Sequence, residues 1–448
     1  MTSLLWFRDD LRVADNPALQ AACERGESIV AVYVLDEASP GMRTLGGASK
    51  WWLHHSLGAL ETQLDALGIP LVLRRGTAGQ AIPELVTASG ATAVFWNRRY
   101  GLAAREVDAE LKRSLRDEGV QVESFAASLL HEPWTIQTGE GRPYSVYTPF
   151  WRACQAAPPP RAPIPTPPPP RGERTRVASE RRDDWSLLPV APDWASGLRA
   201  HWTPGELGAQ QRLADVVESG LDGYAAGRDF ADQEVTSGLS PHLRFGEVSP
   251  HQVWAATEPL LGTRGTEVSK FRSELGWREF AWHTLFFSPE LATRNWRPAF
   301  DAFPWPEHDA EAFAAWTAGE TGYDLVDAGM KELWVSGTMH NRVRMVVASF
   351  LTKNLMIHWR EGEQWFWDTL VDADEASNPF NWQWVAGSGA DAAPYFRVFN
   401  PQLQATKFDP SGRYRARWLG DGVRPAPIVE LAQTRDAALL AYRQITRP

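Results

Sequence analysis

The first third of the chain alternates between short apolar runs and longer amphipathic stretches. Five runs rich in β-branched and aromatic residues are LLWF, SIVAVYVLD, IPLVLR, ATAVFW and VQVESF. Helical stretches separate them, among them residues 51–67 and 102–118. This alternation is typical of a parallel sheet with crossover helices. The pattern therefore predicts an α/β domain over residues 1–128.

Proline interrupts this pattern in the next part of the chain. The segment PPPRAPIPTPPPP, residues 158–170, lacks most of the backbone donors that a helix interior or a central strand requires. It is expected to run as an extended connection over the surface. We therefore predict a proline-rich interdomain linker over residues 129–203.

Residues 204–448 show long helical patterns with few β-branched runs. One helix is predicted over residues 268–287 and another over residues 341–359, each with an apolar stripe. The texture predicts an all-α second domain. On the 341–359 helix the side chains of Asn341, Arg344 and Met345 are expected to share one face, whereas those of His340 and Arg342 are expected to point elsewhere.

Composition limits the class of protein. The 448 residues, 44% of them hydrophobic, are enough to build two or three cores. The two cysteines, Cys23 and Cys154, cannot form a disulfide framework or hold a four-cysteine iron–sulfur cluster. The ten histidines show no i, i+4 pairing beside a glutamate, so no metal site is expected.

Charge and hydropathy limit the partners. A net charge of −10 argues against indiscriminate coating of nucleic acid, so any DNA affinity must come from a local basic patch. No apolar run approaches the roughly 20 residues that span a bilayer, and the first ten residues do not resemble a signal peptide. We therefore expect a cytoplasmic protein with no membrane partner.

The densest group of aromatic and charged residues lies between residues 334 and 409. It contains HNRVRM at residues 340–345, DAD at residues 372–374, NPFNWQW and DAAPYFRVFNP, and its aromatic residues include Trp359, Trp382, Trp384 and Tyr395. This mixture suits a buried, planar, redox-active ligand better than a plain core. On residue types alone, Arg344 beside Asp372 is equally consistent with a structural ion pair.

These motifs resemble the flavin site of the DNA photolyase and cryptochrome family. The resemblance extends from WFRDDLRVADNPAL at residues 6–19, through TSGLSPHLRFGEVS and SELGWREF, to KFD at residues 407–409. It implies a Rossmann-like α/β antenna domain followed by an all-α FAD-binding domain over residues 204–448. The usual dinucleotide fingerprint is absent after the first strand, which argues against an ordinary NAD-type enzyme.

The resemblance is greatest to bacterial members that repair cyclobutane pyrimidine dimers. It implies a monomeric carbon–carbon lyase that acts on UV-damaged DNA, in which photoexcited, reduced FAD passes an electron to the dimer and later recovers it. The alternative on the same fold is a cryptochrome-type blue-light photoreceptor. Asn378, where plant cryptochromes carry aspartate, and the absence of a long polar tail before Pro448 oppose it. An ordinary flavin oxidoreductase does not explain Glu274 and Trp277.

Residue roles follow from the resemblance. Hydroxyls and backbone amides before a helix can seat an anion, and the TSGLS segment is expected to hold the flavin pyrophosphate. Asp372 and Asp374 are expected at the polar edge of the flavin ring, with Asn378 facing its N5 atom. The full set of expected cofactor residues is Tyr224, Arg228, Thr236, Ser237, Gly238, Leu239, Ser240, Arg344, Asp372, Asp374 and Asn378.

The expected substrate pocket has an aromatic wall with a few polar groups. Met345 stands where the (6-4) photolyases carry a catalytic histidine. The absence of that histidine favours cyclobutane dimers as the substrate. A surface ion pair of Glu274 with Arg278 at i+4 is the competing interpretation of that carboxylate. The expected substrate residues are Glu274, Trp277, Asn341, Arg342, Met345, Trp384 and Arg397.

Two further roles complete the interpretation. Trp382, Trp359 and Trp305 match the inner, middle and outer members of the family's electron relay. Together with Glu274, Asn378 and Met345 they form the predicted catalytic set. The segment RRYGLAAREVD has no clear counterpart of the glutamate that contacts folate in other members. An antenna chromophore, methenyltetrahydrofolate or a deazaflavin, and an empty antenna site therefore remain alternatives.

Overall fold

A five-stranded parallel sheet forms the centre of the N-terminal domain. The computed structural model describes residues 1–233, 235–392 and 396–446. The strands are Thr2–Phe7 (β1), Ser28–Leu35 (β2), Leu71–Arg75 (β3), Ala91–Asn97 (β4) and Gln121–Phe125 (β5). Their order is β3-β2-β1-β4-β5, with every neighbouring pair parallel. The predicted α/β fold is confirmed.

Helices cover both faces of the sheet. They are Pro17–Glu24 (α1), Gly47–Ala66 (α2), Ala78–Ser89 (α3) and Leu102–Asp117 (α4). Side chains of β1 alternate between two hydrophobic cores: Leu5 and Phe7 pack with α1 and α2, whereas Leu4 and Trp6 pack with α3 and α4. The near-continuous apolar runs seen in the sequence follow from burial on both faces.

The linker prediction requires a correction. Residues 157–181 contain no helix or strand, but the helices Tyr147–Ala156 (α5) and Ser196–His201 (α6) lie within the predicted linker. Phe150 and Trp151 of α5 are buried in one core with Phe280. A short helix of ten residues has too few turns for its periodicity to stand out beside the proline run.

The remaining helices build the all-α domain that the sequence predicted. They are Glu206–Asp215 (α7), Tyr224–Gly227 (α8), Ser240–Arg244 (α9), Pro250–Thr257 (α10), Leu261–Phe287 (α11), Ala310–Ala318 (α12), Asp324–Ser336 (α13), Asn341–Ser349 (α14), Trp359–Thr369 (α15), Ser377–Ala386 (α16), Pro401–Phe408 (α17), Arg413–Leu419 (α18) and Leu431–Thr446 (α19). Within the described ranges no helix is both long and apolar enough to cross a bilayer.

The prediction of a single helix over residues 341–359 is wrong. Helix α14 ends at Ser349, a π-turn follows over Phe350–Asn354, and α15 begins only at Trp359. Met356 has a φ of +55°, in the left-handed region, which interrupts helical hydrogen bonding. The side chain of His358 then caps α15 by accepting a hydrogen bond from the Arg360 amide. The apolar stripe continues across the break because both segments pack on one core.

A buried carboxylate joins the two domains. Glu247, which is fully buried, accepts hydrogen bonds from Trp52 Nε1 of α2 at 2.9 Å and from the Gly205 amide at 2.7 Å. Its second oxygen contacts Nδ1 of His242. These contacts connect the α/β domain, the start of α7 and the segment that follows α9.

Replacement of Glu247 should therefore weaken the whole molecule. Glu247→Ala leaves several buried donors without an acceptor, and we expect it to lower the free energy of unfolding by about 3–5 kcal/mol. Denaturant titration followed by tryptophan fluorescence measures this loss. Glu110→Ala, which breaks an ion pair with Arg113 that is two-thirds exposed, is the control and should cost less than about 1 kcal/mol. Equal losses for the two variants would contradict the prediction.

Candidate functional site

A cavity of about 1270 Å³ opens in the helical domain. Its size exceeds the roughly 300–1,000 Å³ of ordinary ligand sites, so it has room for a dinucleotide and a further planar group. It gathers residues from most helices between α8 and α18. The predicted site residues that line it are Tyr224, Arg228, Thr236, Ser237, Gly238, Leu239, Ser240, Glu274, Trp277, Asn341, Arg342, Arg344, Met345, Asp372, Asp374, Asn378, Trp382 and Trp384.

Three other predicted residues lie outside this lining. Trp359 is fully buried, Trp305 is half-buried, and Arg397 is exposed with its guanidinium 5.5 Å from the Trp384 ring centroid. Arg397 therefore stands beside a residue of the cavity wall. Tyr395 lies outside the described residues.

His340 and Arg342, which are expected on another face of the helix than Asn341, Arg344 and Met345, also line the cavity. His340 precedes the first turn of α14, and its Nδ1 accepts a hydrogen bond from the Arg342 amide at 3.2 Å. Arg342 donates to Asp229 at 2.7 Å, and its guanidinium lies 4.3 Å from the Phe408 ring centroid.

One ion pair connects three segments of the cavity wall. Arg344 of α14 donates from both terminal nitrogens to the two oxygens of Asp372, at 3.2 and 3.0 Å. Ser240, at the start of α9, donates to the same carboxylate at 2.7 Å. The Asp372 side chain is only 7% exposed, so the pair is shielded from screening by solvent. It fixes Arg344 in one orientation in the wall.

Asp374 has a different local task. One of its oxygens accepts hydrogen bonds from the amides of Ala376, at 2.8 Å, and Ser377, at 2.5 Å, where α16 begins. It thus caps the helix that carries Asn378 and Trp382.

Gly238, in the TSGLS segment, has a φ of +64°, a left-handed conformation in which a side chain is strained. The TSGLS backbone turns there beside Arg212.

Glu274 is paired within the cavity, although not with Arg278. Its carboxylate accepts from Arg228 at 2.8 Å and lies 3.0 Å from Lys270 Nζ. Arg278 donates instead to the Ser128 carbonyl at 2.8 Å, so the predicted alternative pair is not formed. The side chain of Glu274 is 27% exposed.

Trp277, one turn after Glu274, forms a flat part of the wall. Its ring stacks on Tyr147 of α5 with a centroid separation of 3.7 Å and an interplanar angle of 9°. The Tyr147 hydroxyl donates to the Ser273 carbonyl at 2.7 Å, which anchors the stack to α11. Tyr147 was missed from the sequence because it falls in the segment predicted as linker.

The side-chain amide of Asn378 has a defined direction. Its Nδ2 donates to the Glu363 carbonyl at 3.0 Å and to Glu363 Oε1 at 2.8 Å, which uses both amide hydrogens. The reverse orientation would place Oδ1 against two acceptors. Oδ1 is therefore the atom that Asn378 can offer to a ligand. The motif search did not identify Glu363, although WREGE places it at i+4 from Trp359.

The indoles lead away from the cavity. Trp382 lines it and packs closely on Gly362, while Trp359, on the same helix as Gly362, donates to Asn295 at 2.9 Å. The ring of His358 contacts Trp359, at 5.7 Å between centroids, and Trp305, at 4.9 Å. Trp316, which the sequence search missed, meets Trp382 edge to face at 6.3 Å.

The lining carries a local excess of positive charge. Eight lysine or arginine side chains and six aspartate or glutamate side chains line the cavity, against the net charge of −10 for the chain. Burial lowers the pKa of His340 to about 4 and raises that of Tyr224 to about 12. Both groups are therefore neutral near pH 7 and leave this excess unchanged.

A second cavity of about 60 Å³ lies at the carboxyl ends of β1 and β4. Arg8, Asp9, Asn97 and Tyr100 are among its lining residues, and Arg8 donates to the Asn97 carbonyl. A space of this size holds a few water molecules and does not fit a folate or deazaflavin. The three alternatives for the antenna site, methenyltetrahydrofolate, a deazaflavin or no chromophore, stay predictions from the sequence.

Comparison with known proteins places these features in a family. Residues 3–170 match the family described as DNA photolyase, and residues 271–426 match the FAD binding domain of DNA photolyase. The Deoxyribodipyrimidine photo-lyase of Agrobacterium fabrum is 48% identical to this chain, and the aligned region covers 99% of this chain and 98% of that protein. The chain belongs to the DNA photolyase family.

Two other members of the photolyase family frame the comparison. The crystal structure of a bacterial class III photolyase from Agrobacterium tumefaciens matches with a TM-score of 0.94 at 47% identity, over 100% of this chain and 98% of that one. Cryptochrome-1 of Arabidopsis thaliana is 37% identical over 93% of this chain and 62% of its own length. The predicted family and the predicted FAD cofactor are confirmed, and the residues of the FAD-binding domain build much of the cavity.

The orientation of Asn378 makes a substitution at this position informative. Asn378→Asp removes both Nδ2 hydrogen bonds to Glu363 and replaces a neutral amide in the cavity wall by a group that can exchange a proton with the flavin. We expect fully reduced flavin to accumulate more slowly under blue light. Absorption spectra recorded during illumination measure this rate. Gln402→Glu, the same change from amide to carboxyl at an exposed position that does not line the cavity, is the control. Wild-type spectra for Asn378→Asp would show that Asn378 does not face the flavin.

Proposed function

We propose that this protein repairs cyclobutane pyrimidine dimers in UV-damaged DNA with the energy of blue light. The observation that carries the proposal is a single cavity with two kinds of wall. The Arg344–Asp372 pair, Ser240 and Asn378 form a polar part suited to FAD. Glu274 and Trp277 form a second part with an aromatic plane and a carboxylate.

The polar part has the groups that a flavin dinucleotide requires. Hydroxyls and amides of Thr236–Ser240, with Arg228 nearby, suit a pyrophosphate, and Arg344 is held in place by Asp372. When bound and reduced, photoexcited FAD supplies the electron that opens the dimer. Asn378 offers Oδ1 as a hydrogen-bond acceptor for a protonated ring nitrogen.

The second part suits an extruded pyrimidine pair. Photolyases reach their target by flipping it out of the duplex, and the flipped bases need aromatic planes and a few polar groups. Trp277, stacked on Tyr147, supplies a flat surface, and Met345 lines the same cavity. Arg228 and Lys270 offset the negative charge of Glu274, which would otherwise repel DNA.

Contacts to the DNA backbone are assigned to the arginines at the cavity. Arg342 is held by Asp229 and Phe408, and Arg397 lies exposed beside Trp384. Guanidinium groups bind phosphate with two parallel hydrogen bonds. We propose Asn341, Trp384 and these two arginines as further substrate contacts. We also propose that the protein is cytoplasmic and acts as a monomer. Light scattering of the purified protein measures its oligomeric state.

The similarity to Cryptochrome-1 keeps a blue-light photoreceptor as the second candidate. Loss of dimers from UV-irradiated DNA, compared between blue light and darkness, separates the two. A repair enzyme removes dimers only in the light and over many turnovers. Light-independent loss, or no loss by protein that retains FAD, would contradict the proposal.

The indole series predicts how oxidised enzyme is activated. Trp382 is the indole in the cavity wall, and Trp359 and Trp305 lead from it toward solvent. Trp382→Phe should abolish photoreduction of the flavin by an external thiol, because phenylalanine is much harder to oxidise than tryptophan. Chemically reduced variant should retain most of its repair activity. Unchanged photoreduction would disprove the role of Trp382.

Glu274→Ala tests the substrate part of the cavity. Loss of a hydrogen bond to a buried partner, worth roughly 1–3 kcal/mol, should lower the preference for dimer-containing over undamaged DNA by about 5- to 150-fold. The repair yield per absorbed photon should also fall. Both quantities are measured on reduced enzyme, with the FAD content determined because Arg228 loses its partner.

Lys270→Ala is the matched control for Glu274. It removes a partially exposed member of the same ion-pair network and leaves the carboxylate and Arg228 in place. We expect it to change the preference for dimers by less than the Glu274 substitution. Wild-type values for Glu274→Ala would place this residue outside the substrate pocket.

A further inference from the structure

The loop between β2 and α2 carries an arginine into the helical domain. Arg43 donates from Nη1 to Glu363 Oε1 at 2.7 Å and from Nη2 to Glu363 Oε2 at 2.9 Å. Its guanidinium lies 3.9 Å from the centroid of the Trp367 ring, and it also donates to Gln364 at 2.9 Å. Two parallel hydrogen bonds to a carboxylate, with a ring stacked on one face, fix the guanidinium in a single geometry.

Glu363 connects this arginine to the cavity. Its side chain is only 4% exposed, and the oxygen that accepts from Arg43 Nη1 also accepts from Asn378 Nδ2 at 2.8 Å. Asn378 lines the cavity. A continuous series of charged and polar contacts therefore runs from the α/β domain, through Glu363, to the wall of the flavin site.

We propose that Arg43 is a positioning residue for the flavin site: by holding the Glu363 carboxylate, it orients Asn378 so that Oδ1 faces the bound flavin ring. This inference rests on the proposed function. It assigns the α/β domain a part in the chemistry of the FAD site that is independent of any antenna chromophore.

The physical reason is the orientation of the Glu363 carboxylate. With Arg43 in place, both carboxylate oxygens are fixed and can only accept hydrogen bonds, so Asn378 turns its amide hydrogens toward Oε1 and the Glu363 carbonyl. Without Arg43, Glu363 loses the two donors that hold Oε1 within hydrogen-bond distance of Asn378 Nδ2. Asn378 then keeps only the backbone carbonyl as an acceptor, and its amide can turn Nδ2 toward the cavity. The wall would then offer a donor where the reduced flavin, protonated at its ring nitrogen, requires an acceptor.

A purely structural role for Arg43 is the competing explanation, because the same loop has other contacts with α15. The Gly47 amide donates to Asp368 at 2.8 Å, and Trp367 Nε1 donates to the Thr44 carbonyl at 2.9 Å. Gly46 packs so closely on the Trp367 carbonyl that a Cβ would lie 2.1 Å from its oxygen. Asp368 fastens the same loop without contacting Glu363, so it provides a matched control.

The test compares Arg43→Gln, Arg43→Lys and Asp368→Ala as full-length proteins loaded with FAD. The ratio of reduced to oxidised flavin is measured from absorption spectra at one fixed solution potential. We expect Arg43→Gln to lower this ratio at least about 5-fold, the equivalent of losing one buried hydrogen bond. Arg43→Lys, which keeps the charge, should recover most of the ratio. Asp368→Ala should leave the ratio unchanged, even if thermal unfolding without FAD shows a loss of stability.

Two outcomes would overturn the inference: a wild-type ratio in Arg43→Gln, or an equal fall in Arg43→Gln and Asp368→Ala. If Arg43→Gln does not fold, Glu363→Gln decides, because it removes the buried charge with little change in shape. It must also lower the ratio, and a wild-type value would refute the role of Arg43. Failure of the proposed function is recognised separately, by wild-type protein that does not retain FAD or does not repair dimers in light.

Discussion

Buried carboxylates, and the partners that each of them requires, hold the domains of this protein together. A carboxylate removed from water and left unpaired costs on the order of 3–5 kcal/mol, so the folded chain must bring donors to it. The carboxylate of Asp15 is fully buried. It accepts hydrogen bonds from Arg161 and from the Ile164 amide, both in the proline-rich segment, and from the Ser249 hydroxyl of the helical domain. Glu206 at the start of α7 accepts from the Val13 and Ala14 amides of the α/β domain. Since these partners lie in distant segments, satisfying the charges also sets how the domains meet.

The same requirement shapes the functional cavity. Asp372 draws together Arg344 and Ser240, and Glu274 is held by Arg228 and Lys270. The lining carries eight basic and six acidic side chains, so a net positive charge is left after the acidic groups are offset. A chain with a net charge of −10 can thereby present a locally positive site to a polyanion. The ion pairs thus hold the cavity wall together, and the two basic side chains in excess make its lining positive.

Much of the architecture could be predicted from local patterns. Apolar runs separated by helical stretches predicted the parallel sheet, and i, i+3, i+4 spacing placed Arg344 and Met345 on one wall. The errors occurred where local pattern is weak. Helix α5 is too short for clear periodicity, and the apolar stripe after Ser349 continues through a break in the helix. No motif indicated that Arg43 would reach Glu363, 320 positions away along the chain.

Local sequence patterns predicted the sheet, most of the helices, the family and the residue types at the cavity, because periodicity and motifs reflect geometry within a few turns of chain. The pairing of charges depended on tertiary contacts. Glu274 has a basic side chain one turn before it, Lys270, and one turn after it, Arg278. It pairs with Lys270 and not with Arg278, and it also pairs with Arg228, 46 positions away. A pair at i, i+4 on an exposed helix is worth only about 0.3–0.5 kcal/mol, so local spacing hardly constrains the choice. The packing of α8 on α11, through Tyr224 and Phe271, brings Arg228 to the carboxylate.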